Sequence, residues 1–321
     1  MPNTHSIDYT DVALYQDHLI NYRNEVFTRT FFGFPTANLV RSISGVKGIE
    51  LFTELSVAGD LIRQWSCDQT EVDNVITPEP VELIAPLNGV TLKICPQDIE
   101  VKGYLSSLRR KGQDPDDFPL AAFLMEPSFA SMQEQMEYSI WQAKKLAVVP
   151  ANAVMQDTFD GYLEIARKAS LVGKATVVLT GALTDTNILA KMDDMYNALH
   201  KSLKRKGTTI FVSFEDFEAY KLAFMTEYKG NDVAFVQVQG VDYQGIRHRL
   251  NSKVLIVPCE GIPQGKMLSA PPEFLLYGFD GEGDAMNWKV QRIIRTIHIW
   301  ADLRFGAGIL LKRPGFLVIN G

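Results

Sequence analysis

From about Ala285 to Phe305 the chain alternates. Ile293, Ile297, Ile299, Ala301, Leu303 and Phe305 share one parity, and Arg292, Thr296, His298 and Asp302 share the other. Period-two alternation enriched in isoleucine predicts a half-buried β-strand. It would run far beyond the usual length of about 5–6 residues. Glycine-rich stretches bound it, Gly278-Phe-Asp-Gly-Glu-Gly-Asp284 before and Gly306-Ala-Gly308 after, and both read as turns. Two short apolar runs follow, Ile309–Leu311 and Phe316–Ile319, with Pro314-Gly315 between them. Upstream, Pro271–Tyr277 reads as a short helix closing on Gly278.

The rest of the chain carries a mixture of periods. Residues 1–48 hold Tyr9, Tyr15, Tyr22, Phe27, Phe31, Phe32 and Phe34 with no sustained period, beyond a short helix over Asp11–Phe27. Aromatics without a local core favour packing on another surface. In residues 49–95, Leu51, Leu55, Val57, Leu61 and Trp65 alternate with polar residues. Leu51, Leu55, Ala58, Ile62 and Trp65 fit a helical stripe equally, so both readings stand. Val90, Leu92 and Ile94 form a clearer return strand, and the acidic stretch Asp68–Pro80 would be the tip of the resulting hairpin. Pro96, Asp98 and Glu100 open a helix that Arg109, Arg110, Lys111 and Gly112 close. After the polar link Gln113–Asp117, a second helix is predicted from Pro127 to Lys145 with Phe129, Met132, Met136, Ile140 and Ala143 on its core face. Residues 150–260 mix helices (158–168, 187–206, 213–228) with strands (175–179, 209–212, 234–239, 254–257), an α+β pattern. Ser213 and Asp216 have the spacing of a capping box.

Composition narrows the function more than the fold. A chain of 321 residues with 46% hydrophobic and 22% charged residues has ample core for roughly two domains. The net charge of −6 leaves no overall basic footprint for nucleic acid. Cys67, Cys95 and Cys259 are odd in number and lack CxxC spacing, as expected of reduced thiols in a cytosolic setting. Met1–Asp8 has no basic-then-apolar order, so no secretory signal is expected, and no apolar run reaches the roughly 18 residues of a membrane span. Catalytic signatures are missing. Gly261-Ile-Pro-Gln-Gly265-Lys266-Met267 is one residue short of a phosphate loop and lacks its hydroxyl. Asp280–Asp284 is too short for a calcium loop, and His5, His18, His200, His248 and His298 are scattered singly. The run Lys201–Lys206 reads first as a basic helix end.

The element order from Gly261 to the closing "GFLVING", with its acidic glycine turn and very long strand, resembles the C-terminal third of tailed-phage major capsid proteins. Their coat-protein fold, the Hong Kong 97 phage type, is shared with herpesvirus shells and encapsulins. The resemblance extends over roughly Ile49–Gly321 and implies an α+β coat protein. Its parts would be an N-terminal arm (1–48), an extended loop (49–95), a peripheral domain with spine helix and long strand (96–150 and 285–321) and an axial domain (151–284). It implies a structural protein without cofactor or metal, assembling as pentamers and hexamers of an icosahedral shell around packaged DNA, with no sequence-specific DNA contact and no membrane. The chain would be made in the host cytoplasm and end in the virion capsid. Portal and cement proteins would be partners, and a separate scaffolding protein is expected because no long acidic helical prefix precedes Ile49. An encapsulin-type nanocompartment and a soluble α/β enzyme are the alternatives. Some relatives weld neighbours through a loop-tip lysine, but Ser66–Pro80 contains none. The candidate intersubunit residues are therefore noncovalent: Trp65, Asp68, Glu71, Asp73, Val75, Ile76 and Glu79 on the loop, Arg292, Arg295 and Arg304 on the long strand, and Phe31 and Phe32 on the arm.

Overall fold

The computed structural model describes residues 31–57, 76–95, 120–150, 153–179, 181, 183–184, 186–227, 235–237, 244–280, 289–293, 296–310 and 312–321. The predicted helix at 96–112, its polar link and the acidic turn 281–284 lie outside them. In chain order the first half contains helix α1 (Pro35–Leu39), strands β1 (Arg41–Ser44), β2 (Ile49–Val57), β3 (Ile76–Ile84) and β4 (Leu87–Ile94), and helices α2 (Leu120–Gln142) and α3 (Tyr162–Leu171). Then come β5 (Thr176–Val178), α4 (Ile188–Ala198), α5 (Lys201–Lys206), β6 (Thr208–Val212) and α6 (Phe214–Glu227). Strands β7 (Phe235–Gln237), β8 (Gln244–His248), β9 (Asn251–Pro258), β10 (Met267–Ala270), β11 (Leu275–Phe279), β12 (Lys289–Ile293), β13 (Thr296–Ile309) and β14 (Val318–Asn320) complete the order.

Among the described residues the strands form three sheets. A seven-stranded sheet runs β5-β14-β10-β6-β9-β8-β7. Its strand parity divides two cores. Ile210, Val212, Val254, Ile256, Met267 and Val318 face α4, α5 and α6. Phe211, Val257, Leu268 and Ile319 face the larger core built with α2, α3 and β13. Covering on both sides explains why all five residues of β6 are buried, the near-continuous apolar reading of a two-sided strand. The second sheet is organised by β13, whose C-terminal half pairs with β11 and whose N-terminal half lies between β12 and β4. The third is the hairpin β2–β3.

Several expectations are met. The helical stripe Phe129, Met132, Met136, Ile140 and Ala143 is buried along its length. Ser213 Oγ accepts from the Asp216 amide at 3.1 Å, as a capping box requires. Alternation along β13 buries Ile297, Ile299, Ala301, Leu303 and Phe305 and leaves the intervening residues in part exposed.

Others are corrected. The single strand predicted over 285–305 is a hairpin, with Ile293 opposite Thr296 and Lys289 opposite Trp300. A two-residue connection reverses parity, which puts Val290 on the side of Ile299 and leaves Ile293 44% exposed. Gly306 and Gly308 are not a turn but lie inside β13, opposite Gly278 and Leu276. Pro271–Tyr277 is a single 3-10 turn, Pro272–Phe274, leading into the buried strand β11. A short apolar run without period does not distinguish a buried strand from a buried helix. The hairpin's return strand is β3, not Val90–Ile94; β4 pairs with β13 instead. Pro78 and Pro80 sit in β3, where the lost donors are tolerated in a two-stranded ribbon. The helix predicted over 187–206 breaks at Leu199 and His200, both extended. There the His200 amide donates to Gly315 O at 2.9 Å and its ring stacks on Phe316. Helix α2 begins at Leu120, upstream of Pro127, and ends before Lys144 and Lys145. Strand β11 joins β13, and β14 joins the seven-stranded sheet.

Residues 31–48 carry the largest correction. They belong to the body: β1 runs parallel to β11, and Phe31 and Phe34 are 0% and 1% exposed.

Candidate functional site

The β2–β3 hairpin is two-faced. Toward the body it turns Phe52, Val81 and Leu83, the last two buried. Outward it presents Ile49 and Leu51, each 65% exposed, and Leu87 adds 57% at the start of β4. Leucine and isoleucine on the solvent face of a two-stranded ribbon form an apolar strip, a feature of contact surfaces.

Its base rests on glycine. A Cβ on Gly306 would lie 1.9 Å from Ile84 O, one on Gly278 2.8 Å from Leu83 Cδ2, and one on Gly308 3.1 Å from Leu83 Cδ1. Leu83 is pressed against Gly278 and Gly308, and the Ile84 carbonyl against Gly306. Farther along, Glu54 and Glu79 oppose each other across the ladder. Arg313 Nε reaches Glu54 Oε1 at 2.9 Å and Lys174 Nζ reaches Glu79 Oε2 at 2.5 Å. The Lys174 ammonium, by hydrogen bond and charge, holds the Glu79 carboxyl below its ordinary range.

Of the residues expected to make intersubunit contacts, Trp65, Asp68, Glu71, Asp73, Val75 and Arg295 lie outside the described residues. Ile76 and Arg292 are placed by register, opposite Val57 and Ile297. Glu79 is engaged with Lys174 of its own chain. Arg304 lies 3.9 Å from Asp280 and is half-buried. Phe31 stacks on Phe279 at 5.3 Å and Phe32 meets the same ring edge-on at 5.2 Å. The expectation that these aromatics lack intrachain partners is therefore wrong: the ring system of β11 and β13 is their partner, and Phe31 has no surface left for a neighbour.

Sequence reasoning missed Glu137. Its Oε2 accepts from the Thr36 amide at 3.0 Å and its Oε1 from Thr36 Oγ1 at 2.6 Å, while Trp141 Nε1 donates to the same hydroxyl at 2.7 Å. Gly261 N–H is a further donor, so one carboxyl ties α1, α2 and the 259–265 loop together. Only its place beside Met136 on the buried face hinted at this. Burial pushes its pKa up, and Glu260 adds to the shift. A raised folded-state pKa contributes stability that is complete below the unfolded value and lost as pH rises through the folded one. Glu137→Gln is expected to flatten this loss and to melt no lower than the parent at neutral pH. Glu137→Ala strands buried donors at about 1–3 kcal/mol each. Thermal melts across the acid range check both, and a Gln variant as pH-dependent as the parent would assign the slope to another group.

The remaining candidates have structural roles. Gly265 N–H donates to Asp216 Oδ2 at 2.7 Å and Gly265 O accepts from Asn320 Nδ2 at 2.6 Å. The loop that resembled a phosphate cradle thus spends this amide and carbonyl inside the protein. Among the described residues no group of three or more His, Cys, Asp or Glu is placed to hold a metal ion, and no helix is long and apolar enough to cross a membrane.

No protein-family model matches the sequence, and no curated protein matches it. Solved structures do. A chain of the satellite phage P4 procapsid superposes with a TM-score of 0.56 at 8% identity, covering 94% of this chain and 89% of that one. The capsid of an empty GTA particle gives 0.55 at 11% identity, covering 89% and 88%. The capsid of Myoviridae phage XM1 gives 0.53 at 8% identity, covering 88% and 89%. The chain has the α+β coat-protein fold of tailed phages.

Proposed function

We propose that this chain is the repeating subunit of an icosahedral shell, the capsid that encloses a phage genome. The observation that carries the reading is the likeness to capsid and procapsid chains over about nine-tenths of both partners. The outward apolar strip of the hairpin supports it, because a lone subunit gains nothing from exposing Ile49 and Leu51. The role is structural rather than catalytic. Copies meet as pentamers and hexamers, the seven-stranded sheet with α4–α6 forming the axial part and α2 with β13 the peripheral part. The acidic balance of −6 fits packaged DNA held without sequence-specific contact. A separate scaffolding protein, a portal and cement proteins complete assembly in the host cytoplasm, and the mature location is the virion.

Electron microscopy and size-exclusion chromatography of the purified chain test this. Closed particles of megadalton mass are expected, and a discrete species of one or a few subunits under every assembly condition would overturn it. The hairpin is expected to dock without covalent welding. Boiled in detergent and reductant, the particles should run as one band at the chain mass of 36.0 kDa. A ladder resistant to both would refute noncovalent docking.

A further inference from the structure

Helix α5 abuts the first residues of the parallel pair β6–β9. Asn251 Nδ2 donates to Lys204 O at 2.6 Å and Lys253 Nζ to Arg205 O at 2.9 Å. Gly207 follows so closely that a Cβ on it would stand 2.8 Å from Lys253 O. These contacts gather Lys201, Arg205, Lys206 and Lys253 at one end of the seven-stranded sheet, and Arg247 joins them on β8, opposite Leu255. All five residues are exposed. Among the described residues none of them has a carboxylate within ion-pair distance. The carboxylates of α4 and α6 that pair with cations are taken elsewhere, Asp193 and Glu227 by Arg249 and Asp194 by Lys191. Lys204 stands apart from the group: its Nζ donates to Asn197 O at 2.9 Å and lies 4.8 Å from the centre of the Tyr196 ring.

Helix stability explains only part of this charge. Arg205 and Lys206 suit the negative C-terminal end of the helix dipole. Lys201 does not, because it occupies the first position, at the positive end, and stands one turn from Arg205, where like charges repel. Arg247 and Lys253 belong to strands and gain nothing from the dipole. In a chain of net charge −6 this is a local concentration of cations that mutual repulsion disfavours and a polyanion would offset. The charges come from separate elements and lie open to solvent. A single small anion is held by converging, enclosed donors, whereas an open and spread set of Lys and Arg suits regularly repeated phosphates.

We propose that Lys201, Arg205, Lys206, Arg247 and Lys253 form a binding surface for the phosphate backbone of double-stranded DNA. The identity of the polyanion rests on the shell reading, and the surface itself rests on the placement of the charges. Contacts to phosphate alone carry no sequence information, so the surface holds DNA of any sequence and releases it as salt rises.

Fluorescence anisotropy with a short labelled duplex of arbitrary sequence and the dispersed full-length chain tests it. The parent is expected to bind at low salt, with a log–log dependence of affinity on salt of slope about −3 to −4. In K201Q/R205Q/K206Q the affinity should fall about tenfold or more and the slope should shrink by about 2. The triple K93Q/K266Q/K289Q removes the same charge from exposed lysines elsewhere and should change the affinity by less than about twofold. K201R/K206R keeps the charges and should bind as the parent does. A parent that does not bind at low salt, or equal losses in the two triples, overturns the surface. So does a polyglutamate peptide that displaces the duplex more strongly than unlabelled DNA of equal charge, since the surface would then belong to an acidic protein partner. Because the dispersed chain is measured, failure to form particles overturns the shell reading alone.

Discussion

Replacing Gly306 by valine is expected to leave no soluble protein, and Gly306→Ala to cost about 3 kcal/mol or more. A β-carbon there would stand 1.9 Å from Ile84 O, 2.7 Å from Ile84 C and 2.9 Å from Ala85 Cα. All three are backbone atoms, so no side chain can rotate aside, and relief requires lifting β3 from the sheet. That movement also unseats Leu83 from Gly278 and Gly308 and opens the small core of Val46, Leu83, Ala85 and Leu276. Against a domain stability of about 5–15 kcal/mol the alanine variant is marginal and the valine variant is not viable. Gly45→Ala is the contrasting case. Gly45 has φ of 80° but nothing within 4 Å of an added β-carbon, so its cost is left-handed strain alone, about 1–2 kcal/mol. Soluble yield and thermal melting rank the three. A Gly306→Ala variant melting within about 2 °C of the parent would show that the hairpin base yields.

The same glycines show how far the sequence could be read. Periodicity located the spine helix, because its burial depends on one face and one period, and it located β13 for the same reason. The fold followed from element order. What failed was every inference that needed a partner strand. Gly306 and Gly308 look like turn residues in one dimension; that they floor the Ile84 carbonyl and Leu83 depends on contacts between residues more than 220 positions apart. The reversal between β12 and β13 was hidden because Ile293 shares the parity of Ile297 along the sequence. Val90–Ile94 was recognised as a strand but assigned to the wrong neighbour, since alternation reports a face and not a partner. The contact site was legible only in outline. Composition marked the hairpin as projecting and acidic, yet Glu79 belongs to its own Lys174, and the apolar strip at Ile49 and Leu51 was visible as alternation without its direction.

Removing residues 1–34 is expected to destroy the fold, where the sequence pattern alone predicts a folded subunit that only assembles poorly. Phe31 and Phe34 are closed inside a cluster of rings. Phe31 stacks on Phe279 at 5.3 Å; Phe34 meets Tyr277 edge-on at 5.3 Å and Phe305 at 6.1 Å; Phe159 seals Phe305 from the other side at 5.3 Å. Cutting a buried phenylalanine to alanine costs about 3–5 kcal/mol. The truncation removes two, and it strands the buried Tyr277 hydroxyl, which donates to Phe31 O at 3.0 Å, for about another 1–3 kcal/mol. Neighbouring losses do not add simply, but even a discounted total approaches the whole stability of a domain. The point variants Phe31→Ala and Phe34→Ala separate this from any effect of shortening the chain. Each should lower the denaturant midpoint steeply without changing chain length, and the double variant should fall short of the sum. A soluble truncated chain with a cooperative melt near the parent's would mean that the ring cluster closes without these two rings. In that case residues 31–34 would return to the role of an arm, with their contacts made to a neighbour. If the variants behave as expected, no arm can extend as far as Phe31, and whatever reaches a neighbouring copy from this end lies ahead of it.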